Sequence, residues 1–370
     1  MTDLLLSVSL AAHLLLVNVA MSGPLFAVWL ERRGRKLDQE LPGELGHRIA
    51  KASWHSLVGA MVLGIVSALI IHIPGEEWFA ELGQMPHARV FWGSIELLFS
   101  LTLMIIYAQA WKKLAGRPWV HRGLAILAAT NLIYHFPTFF VIFSKLRDEG
   151  RLTEQVTKSE FRGLILDPEV LARSLHYLLA SIAVTGVVVM LMATKRYLSD
   201  EDETAPPQRI AIGAGRAALV ATILQLPVGF WVFVSVPLRD RDRIMGDDLW
   251  AGGLMLVGIL SAVLLLHTLA SVSFGESERA KVRAAALWIL VTVVAMTGML
   301  VRLRVPGPLT EENMGGANIE RRPEKSPVGN LDEPRADDAV AAKHEERETE
   351  WRQFKSQTPR VAQPRRLLRS

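Results

Sequence analysis

WAGGLMLVGILSAVLLLHTLAS, residues 250–271, contains no aspartate, glutamate, lysine or arginine. As an α-helix at 1.5 Å per residue it extends about 33 Å, enough to cross the hydrocarbon core of a bilayer. Seven further runs of the same kind lie at about 4–30, 53–75, 90–111, 121–145, 171–194, 210–235 and 284–303. A soluble domain cannot bury eight such runs, so each is a bilayer span. The expected fold is an all-α, polytopic membrane bundle of about eight transmembrane helices covering residues 1–304. The first span begins near Leu4 without a basic leader and carries His13, Asn18 and Pro24, so it is expected to be retained rather than cleaved.

Outside this region the composition changes. Half of the 370 residues are hydrophobic and mean hydropathy is +0.26, but residues 305–370 are almost entirely polar. They mix both charges with Pro, Gly and Asn and hold too few apolar residues to offset chain entropy. A disordered extramembrane tail is expected there, with DDAVAAKHEERETEWRQFK (337–355) its one candidate helix. The chain has no cysteine. Disulfides, thiolate metal sites, iron–sulfur clusters and covalently attached haem are excluded with it.

Lysine and arginine in short loops orient the bundle. Arg32, Arg33, Arg35, Lys36, Arg48 and Lys51 follow the first span, and Lys112, Lys113, Arg117 and Arg122 follow the third, whereas Arg89 stands alone between them. This places the N-terminus, and after eight spans the C-terminus, outside the cytoplasm. A bacterial inner membrane is the expected location. The six basic residues from Lys145 to Arg173 run against the rule.

Ionisable residues inside spans are costly and therefore functional candidates. They are His13, His55, His72, Glu96, His135, His176, Arg216 and His267. On this topology His13, His176 and Met255 fall in the outer half of the bilayer, and His55 and His267 in the inner half. Several histidines in an apolar bundle without cysteine suggest haem b, and a His–Met pair would give a low-spin, electron-transferring haem of raised potential. Zinc is disfavoured because no His/carboxylate cluster shares one helix. The competing account has each histidine hydrogen-bonded to a backbone carbonyl or a neighbouring helix. An inner bis-histidine site of His55 and His267 is a further arrangement.

Several segments resemble subunit I of the cytochrome bd quinol oxidases. AAHLLLVNVAMSGP (11–24) is similar to that family's opening helix, whose histidine serves the high-spin haem site and corresponds to His13. WHSLVGAMVLG (54–64) shares the tryptophan and glycine spacing of the second helix. LILDPEVLARSLHYLLASIAVTGVVVM (164–190) resembles the fifth, with its proline lead-in, histidine and A-S-x-x-x-T-G run. The resemblance makes His176 an axial ligand of the low-spin haem. Trp250 with Met255 five residues later matches the spacing that supplies the second ligand. Asn131 falls where the family has a Ser-Asn pair. The resemblance implies one haem b at His176 and Met255, a second at His13, and Glu96 as a proton group.

The departures lie at the oxygen-reducing end. The family's quinol-binding loop is replaced by about 14 residues, Pro237 to Trp250, with the run LRDRDRIMGDD. Gly253 stands where the family has an arginine. TGMLVRLRVPGP (297–308) holds no carboxylate where the family has a haem-ligating glutamate. A ninth helix is missing, and Glu96 is the one glutamate where the family's third helix has two. The leading expectation is a b-haem membrane subunit of a respiratory complex, passing electrons from quinol or a periplasmic c-type cytochrome. Its implied partners are other respiratory subunits, among them a bd-type subunit II, and not nucleic acid. Terminal oxidase activity would require replacement ligands. The alternatives are a haem-free structural subunit of such an assembly, and a transporter with helices broken at Pro24 and Pro227.

Overall fold

The computed structural model describes residues 2–72, 87–149, 151, 156–197, 206–276 and 278–304. The chain divides into two units, Met1–Gly307 and Pro308–Ser370. The tail expected from residue 305, with its candidate helix at 337–355, lies outside the described residues.

Among the described residues eight helices are long and apolar enough to cross a membrane, and the protein is an integral membrane protein. In chain order the helices are α1 (Thr2–Leu37), α2 (Glu40–His72), α3 (His87–Gln109), α4 (Pro118–Asp148), the short α5 (Lys158–Ile165), α6 (Pro168–Tyr197), α7 (Pro206–Ser235), the short α8 (Leu238–Asp242), α9 (Leu249–Ser273) and α10 (Arg279–Arg304). A π-helical turn, Arg243–Asp247, joins α8 to α9. No strand occurs among the described residues. Continuous helices satisfy every interior backbone group within the segment, which lipid cannot do. Helices α1 and α7 run unbroken through Pro24 and Pro227, which removes the broken-helix argument for a transporter.

Local chemistry sets the helix starts. Asp167 accepts from the backbone N–H groups of Glu169 and Val170 at 2.9 and 3.4 Å, and Pro168 opens α6 with its φ already set. Thr157 caps α5, accepting from Glu160 N. Asp248 caps α9, accepting from Trp250 N and Ala251 N.

Helix α1 is the hub, packing on α2, α4, α6 and α10, and α6 packs on α1, α4, α7 and α10. Small residues let these backbones approach, the usual device where lipid supplies no hydrophobic drive. Ser22 and Ser181 hydroxyls are 2.5 Å apart and Thr185 Oγ1 donates to the Asn18 carbonyl. A Cβ on Gly186 would stand 2.9 Å from the Ala214 carbonyl oxygen of α7. The A-S-x-x-x-T-G run is therefore the seam that joins α6 to α1 and α7.

Three of the six basic residues that run against the topology rule, Lys145, Arg151 and Arg173, are tied down locally. Lys145 pairs with Glu149, Asp167 and Glu169 at 3.1–3.5 Å, Arg173 pairs with Glu169, and Arg151 pairs with Glu149 and Glu160.

Candidate functional site

Eight spans crossing in succession bring the start of α6, the end of α7 and the start of α9 to one end of the bundle, the end expected to face outward. His176 lies about 12 Å along α6 from Pro168, Gly229 about 9 Å from the end of α7, and Met255 about 9 Å into α9. Helix α7 packs on both α6 and α9. His176 faces α7 at Gly229, where an added Cβ would stand 3.8 Å from Cε1 and 3.9 Å from Nδ1. Its Nδ1 is buried and has no hydrogen-bond partner among the described residues. Leaving a buried polar atom unpaired costs about 1–3 kcal/mol, and such an atom in a native fold calls for an explanation.

Met255 is half-buried between Ala251 and Gly258, on the stripe that continues through Leu265, Leu269 and Val272. The mouth of α9 is clamped by charge. Asp248 Oδ2 accepts from Arg243 at 3.1 Å and from Arg302 Nε at 2.8 Å, and Arg243 also donates to the carbonyls of Leu303 and Arg302. Desolvation pushes the Asp248 carboxyl up. The Ala251 N–H and the two guanidiniums outweigh it and hold the group below its ordinary value. The charged connection is thus a built structure, fixing α9 against the end of α10.

His13 sits between α1 and α2. Its Nδ1 is 2.7 Å from the Ala60 carbonyl oxygen, and Gly64 leaves room for the ring. A carbonyl only accepts, so Nδ1 carries the proton and Nε2 the lone pair. Metal-ligating histidines commonly have this arrangement, the second nitrogen donating to a backbone oxygen. Glu96 is half-buried on α3, and its carbonyl accepts from Asn131 Nδ2, which also donates to Ser100 Oγ.

The remaining candidates fall away from any shared centre. His55 and His267 are exposed, and His55 Nδ1 bonds its own helix at Lys51 O; the structure does not assemble an inner bis-histidine site from them. Arg216 donates to Ser273 O, and His135 packs edge-on to Tyr134. The His72 side chain lies outside what is described. Among the described residues no three His, Asp or Glu converge on a metal-holding group.

The opposite end holds a polar cluster that the span analysis passed over. Glu31 near the end of α1 is 4% exposed, and His121 at the start of α4 is 1% exposed. His121 Nε2 donates to Tyr107 O at 2.9 Å, so it carries a proton; its Nδ1 is 3.1 Å from Glu31 Oε2. Arg35 and Arg122 flank Glu31 at 3.2 and 3.4 Å. Tyr107 and Trp111 pack on the His121 ring, and Trp111 also stacks on His47, whose Nε2 bonds Ala108 O.

The orphaned nitrogen of His176, the Gly229 opening beside it and the polarised His13 ring fit ligands of a haem iron, as does the thioether of Met255. No family model matches the sequence, and no curated protein matches it. Among solved structures the chain is similar to that of bd oxidase from Geobacillus thermodenitrificans, with a TM-score of 0.58 and 14% identity over 81% of this chain and 85% of that one. At that identity the likeness is one of fold.

Proposed function

We propose that this chain is a b-type haem-binding membrane subunit of a respiratory electron-transfer complex of the bd-oxidase kind. The observation that carries the reading is the buried Nδ1 of His176, facing Gly229 with no hydrogen-bond partner among the described residues. His176 and Met255 would hold one haem toward the outer face, and His13 would ligate a second. Bound haem supplies one-electron transfer. The protein supplies the ligands, their orientation and a low-dielectric surround. The Ala60 carbonyl holds the His13 ring in the tautomer that leaves Nε2 free. Glu96, half-buried on α3, is the candidate proton group. The donor would be quinol or a c-type cytochrome approaching the clamped α7–α9 connection. Partners would include a bd-type second subunit in a bacterial inner membrane, with both termini extracytoplasmic. Residues 297–304 hold no carboxylate, so oxygen reduction would need a ligand from elsewhere.

A reduced-minus-oxidised visible spectrum of the purified protein, with a pyridine haemochrome assay, tests this. A b-type α-band lost in both His176→Ala and Met255→Ala is expected, with a separate signal sensitive to His13→Ala. A folded preparation free of haem, even when expressed with its neighbouring subunits, would overturn the reading. It would leave a structural subunit. One observation favours that second account: Ser181, Thr185 and Gly186 are fully occupied in helix packing, so their presence needs no cofactor.

A further inference from the structure

The last turns of α1 border a cavity of about 690 Å³. Its cations are Arg32, Arg33, Arg35 and Lys36 from α1 and Arg122 from α4. Its apolar wall is Leu25, Val28 and Trp29, one to three turns earlier on α1. Arg35 and Arg122 share the Glu31 carboxylate. Arg33 lies over the Trp29 ring, 5.9 Å from its centroid, and the far edge of that ring rests against Gly213 of α7. Arg32, Arg35 and Lys36 are exposed and Arg33 is half-buried. The cavity is therefore lined by five cations and no carboxylate, two of the five being paired with Glu31 beside it.

Along the helix the lining from Leu25 to Lys36 extends about 16 Å. It grades from bilayer-depth aliphatic side chains, through a tryptophan of the kind found at membrane interfaces, to a basic rim. A soluble anion would have no use for the aliphatic wall. A neutral lipid would leave the excess positive charge unmatched. We infer that this cavity is a binding site for an anionic phospholipid, its phosphate among Arg32, Arg33 and Lys36 and an acyl chain along Leu25 and Val28. Arginine forks suit phosphate oxygens, and basic pockets between helices on the cytoplasmic side bind acidic headgroups. The site lies at the opposite end from His176 and stands apart from the haem proposal.

The experiment uses the full chain, purified in detergent and stripped of lipid. Thermal unfolding is followed during titration with phosphatidylglycerol, phosphatidylcholine and soluble glycerol phosphate, and native mass spectrometry counts retained phospholipids. Phosphatidylglycerol is expected to raise the midpoint and to be retained, while the other two leave it unchanged. At roughly 1 kcal/mol per basic residue, the double variant Arg32→Gln/Arg33→Gln should bind it about 30-fold more weakly. Neither side chain makes an ion pair among the described residues, so this variant should fold. If it does not, Lys36→Gln gives the same comparison with a smaller shift. Equal stabilisation by phosphatidylcholine, stabilisation by glycerol phosphate alone, or undiminished phosphatidylglycerol binding by the variants would each overturn the inference.

Discussion

The two ends of the bundle treat a buried histidine in opposite ways. At one end His121 has both ring nitrogens engaged, a carboxylate on one side and a carbonyl on the other, with Tyr107 and Trp111 packed against the ring. At the other end the Nδ1 of His176 is buried near Gly229 with no hydrogen-bond partner among the described residues. The His121 ring accounts for itself within the fold, although the neighbouring Tyr107 hydroxyl is buried without a hydrogen-bond partner among the described residues. The His176 ring carries an uncompensated desolvation that a fold selected for stability alone would have removed, either by supplying an acceptor or by an apolar side chain. The contrast separates a histidine that holds helices together from one that calls for a ligand.

The sharpest way to break the comparison is to exchange the two losses. On the proposed haem reading, His176→Ala should abolish the b-type α-band while changing the thermal stability of the haem-free protein little. His121→Ala should do the reverse, leaving the band position intact and lowering the midpoint. If both variants lose haem equally, or His176→Ala lowers stability as much as His121→Ala, the distinction between the ends fails. The next largest effect is at Glu31. Removing the carboxylate leaves His121, Arg35 and Arg122 facing one another in a partly desolvated site. Breaking a buried pair from one side costs about 3–5 kcal/mol, so Glu31→Ala should lower yield and unfolding midpoint strongly, and Glu31→Gln less. Chemical denaturation in detergent measures both, and an unchanged Glu31→Ala midpoint would mean that the cluster is ornamental.

Much of this was legible in advance, and the exceptions have a common cause. The spans could be read because bilayer crossing is a matter of composition over about 20 residues. Their ends could not. Apolar character stops near Leu30 and resumes near Ser53, but α1 continues to Leu37 and α2 begins at Glu40. Helical hydrogen bonding continues into the interface through charged residues. Glu31 and His47 sit in those extensions and so looked like loop residues. His121 marked the edge of an expected span, but its partner is ninety positions away, and no local pattern encodes that pairing. His13, His176 and Met255 stood out by residue type and by resemblance. That His176 lacks a partner while His13 has one depends on where Gly229 and Ala60 lie, which only the packed helices reveal.

The seam between the halves gives a smaller test. Gly186 admits the Ala214 carbonyl at a distance no Cβ tolerates. Gly186→Val must push α6 away from α7, and overpacking of this kind costs about 1–3 kcal/mol. Because α7 also carries Gly229, the displacement should disturb any His176-dependent spectrum. Gly123→Ala, where an added Cβ meets nothing within 4 Å, should leave both stability and spectrum unchanged. A spectrum indifferent to Gly186→Val would argue that the His176 environment is not set by the α6–α7 contact.

The smallest effect concerns the charged clamp at the start of α9. Asp248 caps α9 with one oxygen and receives Arg243 and Arg302 on the other. Its carboxyl is held below its ordinary value of 3.8. A group with a depressed folded-state pKa contributes stability that is fully present above the ordinary value. That contribution is lost as pH falls through the lower folded-state value. The protein should therefore show an acid-labile component below about pH 4, with α9 loosening from α10, worth about 1–2 kcal/mol by the usual size of charge-assisted hydrogen bonds. Asp248→Asn keeps an oxygen for the cap but removes the charge, so it should lower stability at pH 7 and flatten that acid limb. Because α9 carries Met255, the same substitution should broaden a Met255-dependent signal without abolishing it. An Asp248→Asn variant whose acid limb matches the parent would place the sensitive carboxylate elsewhere. The Glu149, Asp167 and Glu169 group around Lys145 would then be the next one to neutralise.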